Sequence, residues 1–97
     1  MATYISLIKF TQQGITNIKD AAARLDSRKE TLKALGTELK AFYLTMGRYD
    51  VVAVIEAPDD ETAAKAALAS GSDGNVTTET LRAFTEDEYR AIIAALP

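Results

Sequence analysis

The sequence predicts an α+β fold, a ferredoxin-like βαββαβ sandwich with an extra C-terminal helix. Three observations carry that expectation. Four separate runs have apolar residues at strand period, and two longer stretches, between the first and second runs and between the third and fourth, read as helices. The second and third runs are joined by only Gly47-Arg48-Tyr49-Asp50, which leaves room for a hairpin loop and no helix. A split βαβ pair in this order gives an antiparallel sheet with both long helices on one face.

The first strand is expected over Thr3 to Phe10, with Ile5 and Leu7 on one face and Tyr4, Ile8 and Phe10 on the other. Thr11-Gln12-Gln13-Gly14 breaks it. Ile15, Ile18, Ala22, Leu25, Leu32 and Leu35 then follow at spacings of three, four and seven, which predicts one helix ended by a left-handed cap at Gly36. Its other face carries Lys19, Asp20, Arg24, Asp26, Arg28, Lys29 and Lys33, mixed in sign, and reads as solvated surface. An anion-binding face on Arg24, Arg28 and Lys29 is the functional alternative, weakened by the interspersed acids.

From Glu38 to Met46 alternation puts Leu39, Ala41 and Tyr43 on one face and Phe42, Leu44 and Met46 on the other. Val51 to Ala57 is almost continuously apolar and β-branched, the pattern of a central strand. Asp59 is placed as the N-cap of a second long helix, with Asp60 and Glu61 in its first turn where the macrodipole favours negative charge, so the acidic triplet needs no metal. Calcium loops spread their ligands over about twelve residues and do not bunch three. The helix runs through the alanine-rich segment to Ala69, Ser70 to Gly74 reads as a loop, and Asn75 to Phe84 as the fourth strand. Thr85 and Glu88 form a capping box before a short helix with Tyr89, Ile92, Ile93 and Leu96 on its apolar face.

The chain of 97 residues is read as one domain, residues 1–97, long enough to bury roughly 60 to 70% of its unfolded surface in a single core. It contains no cysteine and no histidine, which excludes disulfides, thiolate or imidazole metal ligands, and every Ser-His or Cys-His catalytic arrangement. No cofactor and no metal are expected. A net charge of −3 without a basic cluster makes nucleic acid an unexpected partner. The segment MATYISLIKF lacks a basic leader and an unbroken apolar stretch, and no run approaches the about 20 apolar residues of a membrane span, so a cytoplasmic protein without a membrane partner is expected. The first three strands are apolar on both faces, and no second helical layer exists to cover one of them. A homodimer with sheets face to face is therefore expected, with higher assembly left open.

Gly47-Arg48-Tyr49-Asp50, followed by Val51-Val-Ala-Val-Ile-Glu56-Ala-Pro58-Asp59-Asp60-Glu61, resembles the signature of the GYD family, named for its Gly-x-Tyr-Asp motif. Tyr4 to Phe10 and Thr11-Gln12-Gln13-Gly14-Ile15 resemble its opening strand and turn. Ala21-Ala22-Ala23 departs from the proline-containing segment usual before its arginine, here Arg24. The resemblance spans almost the whole chain and implies a dimeric α+β barrel. It implies no activity, since the family is functionally uncharacterised.

Physically the insert reads first as a turn. Gly47 supplies positive φ, Asp50 accepts backbone N–H groups across the turn, and Tyr49 lays its ring on an apolar neighbour with its hydroxyl in water. Three functions remain in play. In a small-molecule binding or regulatory module, similar to the ligand-binding domains of leucine-responsive-type regulators, Tyr4, Tyr43, Arg48, Tyr49 and Asp50 are the candidate contacts. In a cofactor-independent enzyme, a monooxygenase or isomerase acting on a small organic compound, acid/base work falls on Asp, Glu, Lys or Tyr, with Tyr4, Lys9, Tyr43 and Asp50 as candidates, and no catalytic residue is assigned. The tyrosines have packing roles as the plainer explanation, as Lys9 has a solvated one. An assembly element needs no ligand at all.

Overall fold

Both edges of β1 (Ala2–Phe10) are occupied, which makes it one of the two central strands of the sheet. In the computed structural model, which describes all residues from Met1 to Pro97, the chain continues through α1 (Gln12–Thr16), a 3-10 turn (Ile18–Asp20), α2 (Ala21–Ala34), β2 (Glu38–Leu44), β3 (Val51–Ala57), α3 (Asp60–Ser72), β4 (Val76–Ala83) and α4 (Glu86–Ala94). The strand order is β2-β3-β1-β4 with every pair antiparallel, the arrangement of a ferredoxin-like fold.

Register divides the sheet into two chemically different faces. Tyr4 lies between Ile55 and Arg82, Ser6 between Ala53 and Thr80, and Ile8 between Val51 and Thr78. This is the face on which α2 and α3 pack, and Tyr4, Ile55, Ala57 and Ala63 form its buried cluster, with Ala57 wholly inaccessible. The alanines of α3 allow this close approach, because a methyl group keeps the helix backbone near the strands. On the opposite face Ile5 lies between Val54 and Leu81, and Leu7 between Val52 and Glu79. No helix packs there. Along β3, residues 51, 53, 55 and 57 are buried and residues 52, 54 and 56 only half-buried, which records the same division.

The helix ends follow local chemistry. The Asp59 carboxylate accepts the Thr62 N–H at 2.8 Å, and Thr85 and Glu88 complete their reciprocal box at 3.2 and 2.9 Å. Gly36 has φ +75°, and Thr37 and Gly36 donate to the carbonyls of Leu32 and Lys33, closing a Schellman motif.

Three expectations are corrected. The single helix over residues 15–35 is broken: α1 starts at Gln12, capped by Thr11, and ends at Thr16, before the 3-10 turn and α2. The Thr11–Gly14 segment is hydrogen-bonded to residues 73–75, and Ile15 and Ile18, 50% and 41% exposed, do not continue a core stripe. In β2 the pairing shifts between Leu39 and Ala41, so Leu39 pairs with Ile55 on the helix-covered face while Ala41 and Tyr43 face the other way. The residue inserted by this bulge separates Leu39 from the face that simple alternation assigns it. Helix α3 also runs past Ala69 through Ser70, Gly71 and Ser72, where the serine hydroxyls donate to the carbonyls of Ala66 and Ala69.

Candidate functional site

The Gly-Arg-Tyr-Asp insert closes one end of the sheet. Gly47 has φ +131°, allowing the sharp reversal between β2 and β3. The Asp50 N–H donates to the Ile8 carbonyl at 2.8 Å, and the Asp50 carboxylate accepts the Phe10 N–H at 2.8 Å. Strand β3 pairs with β1 only as far as Val51 opposite Ile8, so the aspartate side chain carries the ladder one step beyond the last paired residue. Thr45 fastens the hairpin from the other side, its N–H on the Asp50 carbonyl and its hydroxyl on the Tyr49 carbonyl, both at 2.8 Å.

Tyr49 reaches across the sheet and donates its hydroxyl to the Glu79 carboxylate on β4 at 2.5 Å. Its partner is therefore a carboxylate, not bulk water as the turn reading expected. Glu79 stands opposite Leu7, in the row Tyr43–Val52–Leu7–Glu79 that crosses all four strands on the face without helices. The neighbouring row is Ala41–Val54–Ile5–Leu81. Together the rows make a patch of seven apolar or aromatic residues bounded by the Tyr49–Glu79 bond. Tyr43 is 63% exposed in it.

Tyr4 belongs to a different place. Its ring is buried at the other end of β1, on the helix-covered face, and its hydroxyl donates to the Asp60 carboxylate at 2.5 Å. The Arg82 guanidinium lies 5.6 Å from the Tyr4 ring centre and 4.5 Å from that of Phe84. Of the five residues singled out in the sequence, the structure thus gathers Tyr43, Arg48, Tyr49 and Asp50 around one hairpin and leaves Tyr4 apart. Lys9 is exposed on the patch side of β1.

Two concavities accompany these elements. A half-enclosed crevice of about 70 Å³ lies between α2, α3 and the sheet, lined by Leu25, Leu32, Ile55 and Ala66 with Ser6, Arg28 and Thr80 as polar groups. At Asp73, the C-cap of α3, the Arg28 guanidinium bonds the carboxylate at 2.7 Å, so Arg28 ties the two helices together and does not belong to a solvated face. An open groove of about 710 Å³ runs between α3 and the outer edge of β4. No group of three or more acidic residues is arranged to hold a metal ion. No helix is long and apolar enough to cross a membrane.

A family model described as the GYD domain matches residues 4–93. The chain belongs to the GYD family. It is also 37% identical over 85 residues, 87% of this chain and 90% of the other, to a Thermus thermophilus protein named "Glutamine synthetase and cystathionine beta-lyase binding protein". No solved structure matches it.

Within this GYD chain the signature aspartate has a backbone task and the signature tyrosine a cross-sheet one. Sequence reading missed Asp60, Glu79 and Arg82 as partners. The pairs Tyr4–Asp60 and Tyr49–Glu79 lie 56 and 30 residues apart, and nothing local announces them.

The hydroxyl bonds to Asp60 and Glu79, reinforced by burial and by the carboxylate charges, hold the Tyr4 and Tyr49 pKa values above the ordinary 10.0. Because the folded values are raised, the stability these bonds contribute is complete below the unfolded value near 10 and is lost as pH rises through the folded values. Near-ultraviolet titration should show tyrosine ionisation above the ordinary 10.0, one such step disappearing in Tyr4→Phe and another in Tyr49→Phe. Absence of any late step removed by these substitutions would contradict both bonds. At the acid end, hydrogen bonds from Thr62 and Thr85 lower the Asp59 and Glu88 pKa values below 3.8 and 4.5. Their contribution is present above those ordinary values and disappears as pH falls through the depressed ones.

Proposed function

We propose that this GYD chain is a homodimeric binding module that regulates other proteins by attaching to them. The carrying observation is the patch of Ile5, Leu7, Ala41, Tyr43, Val52, Val54 and Leu81, an apolar sheet face that no helix of its own chain covers. A contiguous apolar surface of this kind is the mark of an association site, and two copies packed sheet to sheet bury it. Cytoplasmic residence fits this reading. The name of the Thermus relative supports protein partners, and by extension this chain binds a glutamine synthetase, a cystathionine β-lyase, or both.

The test has two parts. Sedimentation at low micromolar concentration is expected to give a dimer, and immobilised protein is expected to retain glutamine synthetase or cystathionine β-lyase from its own source organism. A monomer that retains neither enzyme would overturn the proposal.

The groove between α3 and β4 favours a second reading, in which a small organic ligand modulates the module. It is the wider of the two concavities, lined by Ala67 and Leu68 of α3 and Thr77, Thr78 and Thr80 of β4, whereas the crevice beneath the helices, about 70 Å³, holds only a few waters. Native mass spectrometry of freshly purified protein would show a reproducible additional mass if this holds. Uniformly bare protein that gains no mass on incubation with a metabolite extract would count against it.

A further inference from the structure

The two edges of the sheet differ. At the β2 edge the pairing bulges between Leu39 and Ala41, and Lys40 and Glu38 form an ion pair at 3.5 Å, both features that keep another strand away. The β4 edge has neither. Its register with β1 runs through consecutive pairs from Val76 to Ala83 without a bulge, glycine or proline, and Val76, Thr77, Thr78 and Thr80 are β-branched. No wall of the groove beside it comes from α4, which has no buried residue.

Hydrogen bonding tells which backbone groups this edge leaves free. The Thr11 N–H donates to the Asn75 carbonyl, so Asn75 faces β1, and antiparallel alternation turns Thr77, Glu79, Leu81 and Ala83 the same way. The N–H and C=O of Val76, Thr78, Thr80 and Arg82 therefore point outward along about 20 Å of strand, with no strand beside them. Their side chains stand on the helix-covered face, opposite Phe10, Ile8, Ser6 and Tyr4. There the groove is lined by no charged side chain, and α3 contributes Ala67, Leu68 (74% exposed), Gly71 and Ser72.

We infer that an extended segment of a partner protein pairs antiparallel with the outer edge of β4, as a fifth strand of the sheet. The inference rests on the protein-binding reading above and names the kind of segment bound. Residues of the segment opposite Val76, Thr78 and Thr80 face α3, so they are uncharged and small or β-branched, to suit walls of alanine, glycine and hydroxyl groups. Residues opposite Thr77, Glu79 and Leu81 lie on the open face. Glu79 forms no ion pair in its own chain, so a lysine or arginine opposite it supplies the complementary charge. A small ligand in the same groove would compete with this strand.

Charge and area argue against the β4 of a second copy as the occupant. The two-fold register that joins all four outward residues, Val76 with Arg82 and Thr78 with Thr80, sets Glu79 directly opposite Glu79 of the copy, a destabilising pair of like charges. Moving the register by two residues pairs Val76 with Phe84 or Arg82 with Gly74, both outside the strand. Strand-edge contact by itself also covers only about 20 Å by 10 Å on each copy, roughly 400 Å² in total, against about 1,200 Å² for stable association. A short segment of a larger partner draws its affinity from main-chain bonds and alternate side chains, which this edge offers.

The probe is a peptide blocked at both ends, threonine-valine-threonine-lysine-threonine-valine-threonine, which sets its lysine opposite Glu79 and its threonines toward α3. Calorimetry with the full chain is expected to show binding. Glutamate in place of the lysine should weaken it about tenfold, and Glu79→Gln should remove that difference. N-methylation of the two threonines beside the lysine removes N–H groups that face β4 and should abolish binding, whereas N-methylation of the valines, whose N–H groups face away, should not. Thr78→Pro loses only an outward N–H, so binding should fall about tenfold or more with unchanged circular dichroism. The methylated peptides make the same test on the unaltered chain. No binding at about 1 mM, or binding that survives methylation of the threonines, would overturn the added strand. Tighter binding by a blocked peptide of residues 76–82 would give the edge to a second copy and overturn the partner segment. Equal retention of glutamine synthetase or cystathionine β-lyase by the chain and by Thr78→Pro would sink the edge and leave the protein-binding reading standing. Peptide binding with neither enzyme retained would keep the edge and remove those enzymes as its partners.

Discussion

Gly14→Ala is expected to cost about 3 kcal/mol of folding stability or more, a large share of the about 5–15 kcal/mol of a typical domain. A Cβ at this position would lie 2.0 Å from the Asn75 carbonyl oxygen and 3.0 Å from its carbon. Both are backbone atoms, so no flexible side-chain end can move aside. The same contact holds the start of α1 against the loop before β4. Thr11 donates its N–H to Asn75 at 3.0 Å and its hydroxyl to Gly74 at 2.6 Å, and Gln13 bonds the Asp73 carbonyl at 3.0 Å. Relieving the clash separates these partners, and three hydrogen bonds at about 1 kcal/mol each set the scale. Urea denaturation should show a lower midpoint at unchanged slope. A loss below about 0.5 kcal/mol would mean that the segment repacks freely.

Asp50→Ala is expected to cost about 2 kcal/mol, and Asp50→Asn about half as much. The backbone bonds of Asp50 to Ile8 and Thr45 survive either change. What alanine removes is the acceptor for the Phe10 N–H at the end of β1. Asparagine keeps an acceptor oxygen and loses only the reinforcement by charge. Hydrogen exchange gives an independent reading, since the Phe10 amide should lose protection in Asp50→Ala and keep most of it in Asp50→Asn. Equal destabilisation by the two variants would contradict the ladder role. Unchanged stability with altered binding would instead make Asp50 a ligand contact.

These expectations show where local reading of the chain succeeds. Asp59, Thr85 and Glu88 act on backbone groups three residues away, so their capping roles are visible in a short window. Gly36 ends α2 for an equally local reason, a left-handed φ that other residues adopt at a cost. Strand β3 is legible because residues with branched and apolar side chains are dense enough to exclude other structure. The GYD signature was visible too, as a loop.

Its tasks were not. Period-two counting along β2 has no means of detecting the residue inserted between Leu39 and Ala41, since a bulge exists only relative to the strand opposite. Helical spacing joined Ile15 and Ile18 to the α2 stripe because their separation suits a helix, whereas α1 ends at Thr16 and its start is bonded to residues 73–75, a contact invisible along the chain. Arg28 reads as one solvated cation among several until Asp73 is placed 2.7 Å away.

The sequence alone determined the order of the four strands, the placing of a long helix in each crossover, three helix caps and the existence of an apolar surplus on the sheet, because each depends on neighbours within a few residues or on composition. Tertiary structure decided which face that surplus occupies, why Gly14 admits no side chain, what Asp50, Tyr4 and Tyr49 hold, and that α4 stands away from its own core. Hydrogen bonds and steric exclusion act over a few ångströms in space, whatever the separation along the chain. Between Tyr4 and Asp60 that separation is 56 residues, and folding reduces it to 2.5 Å.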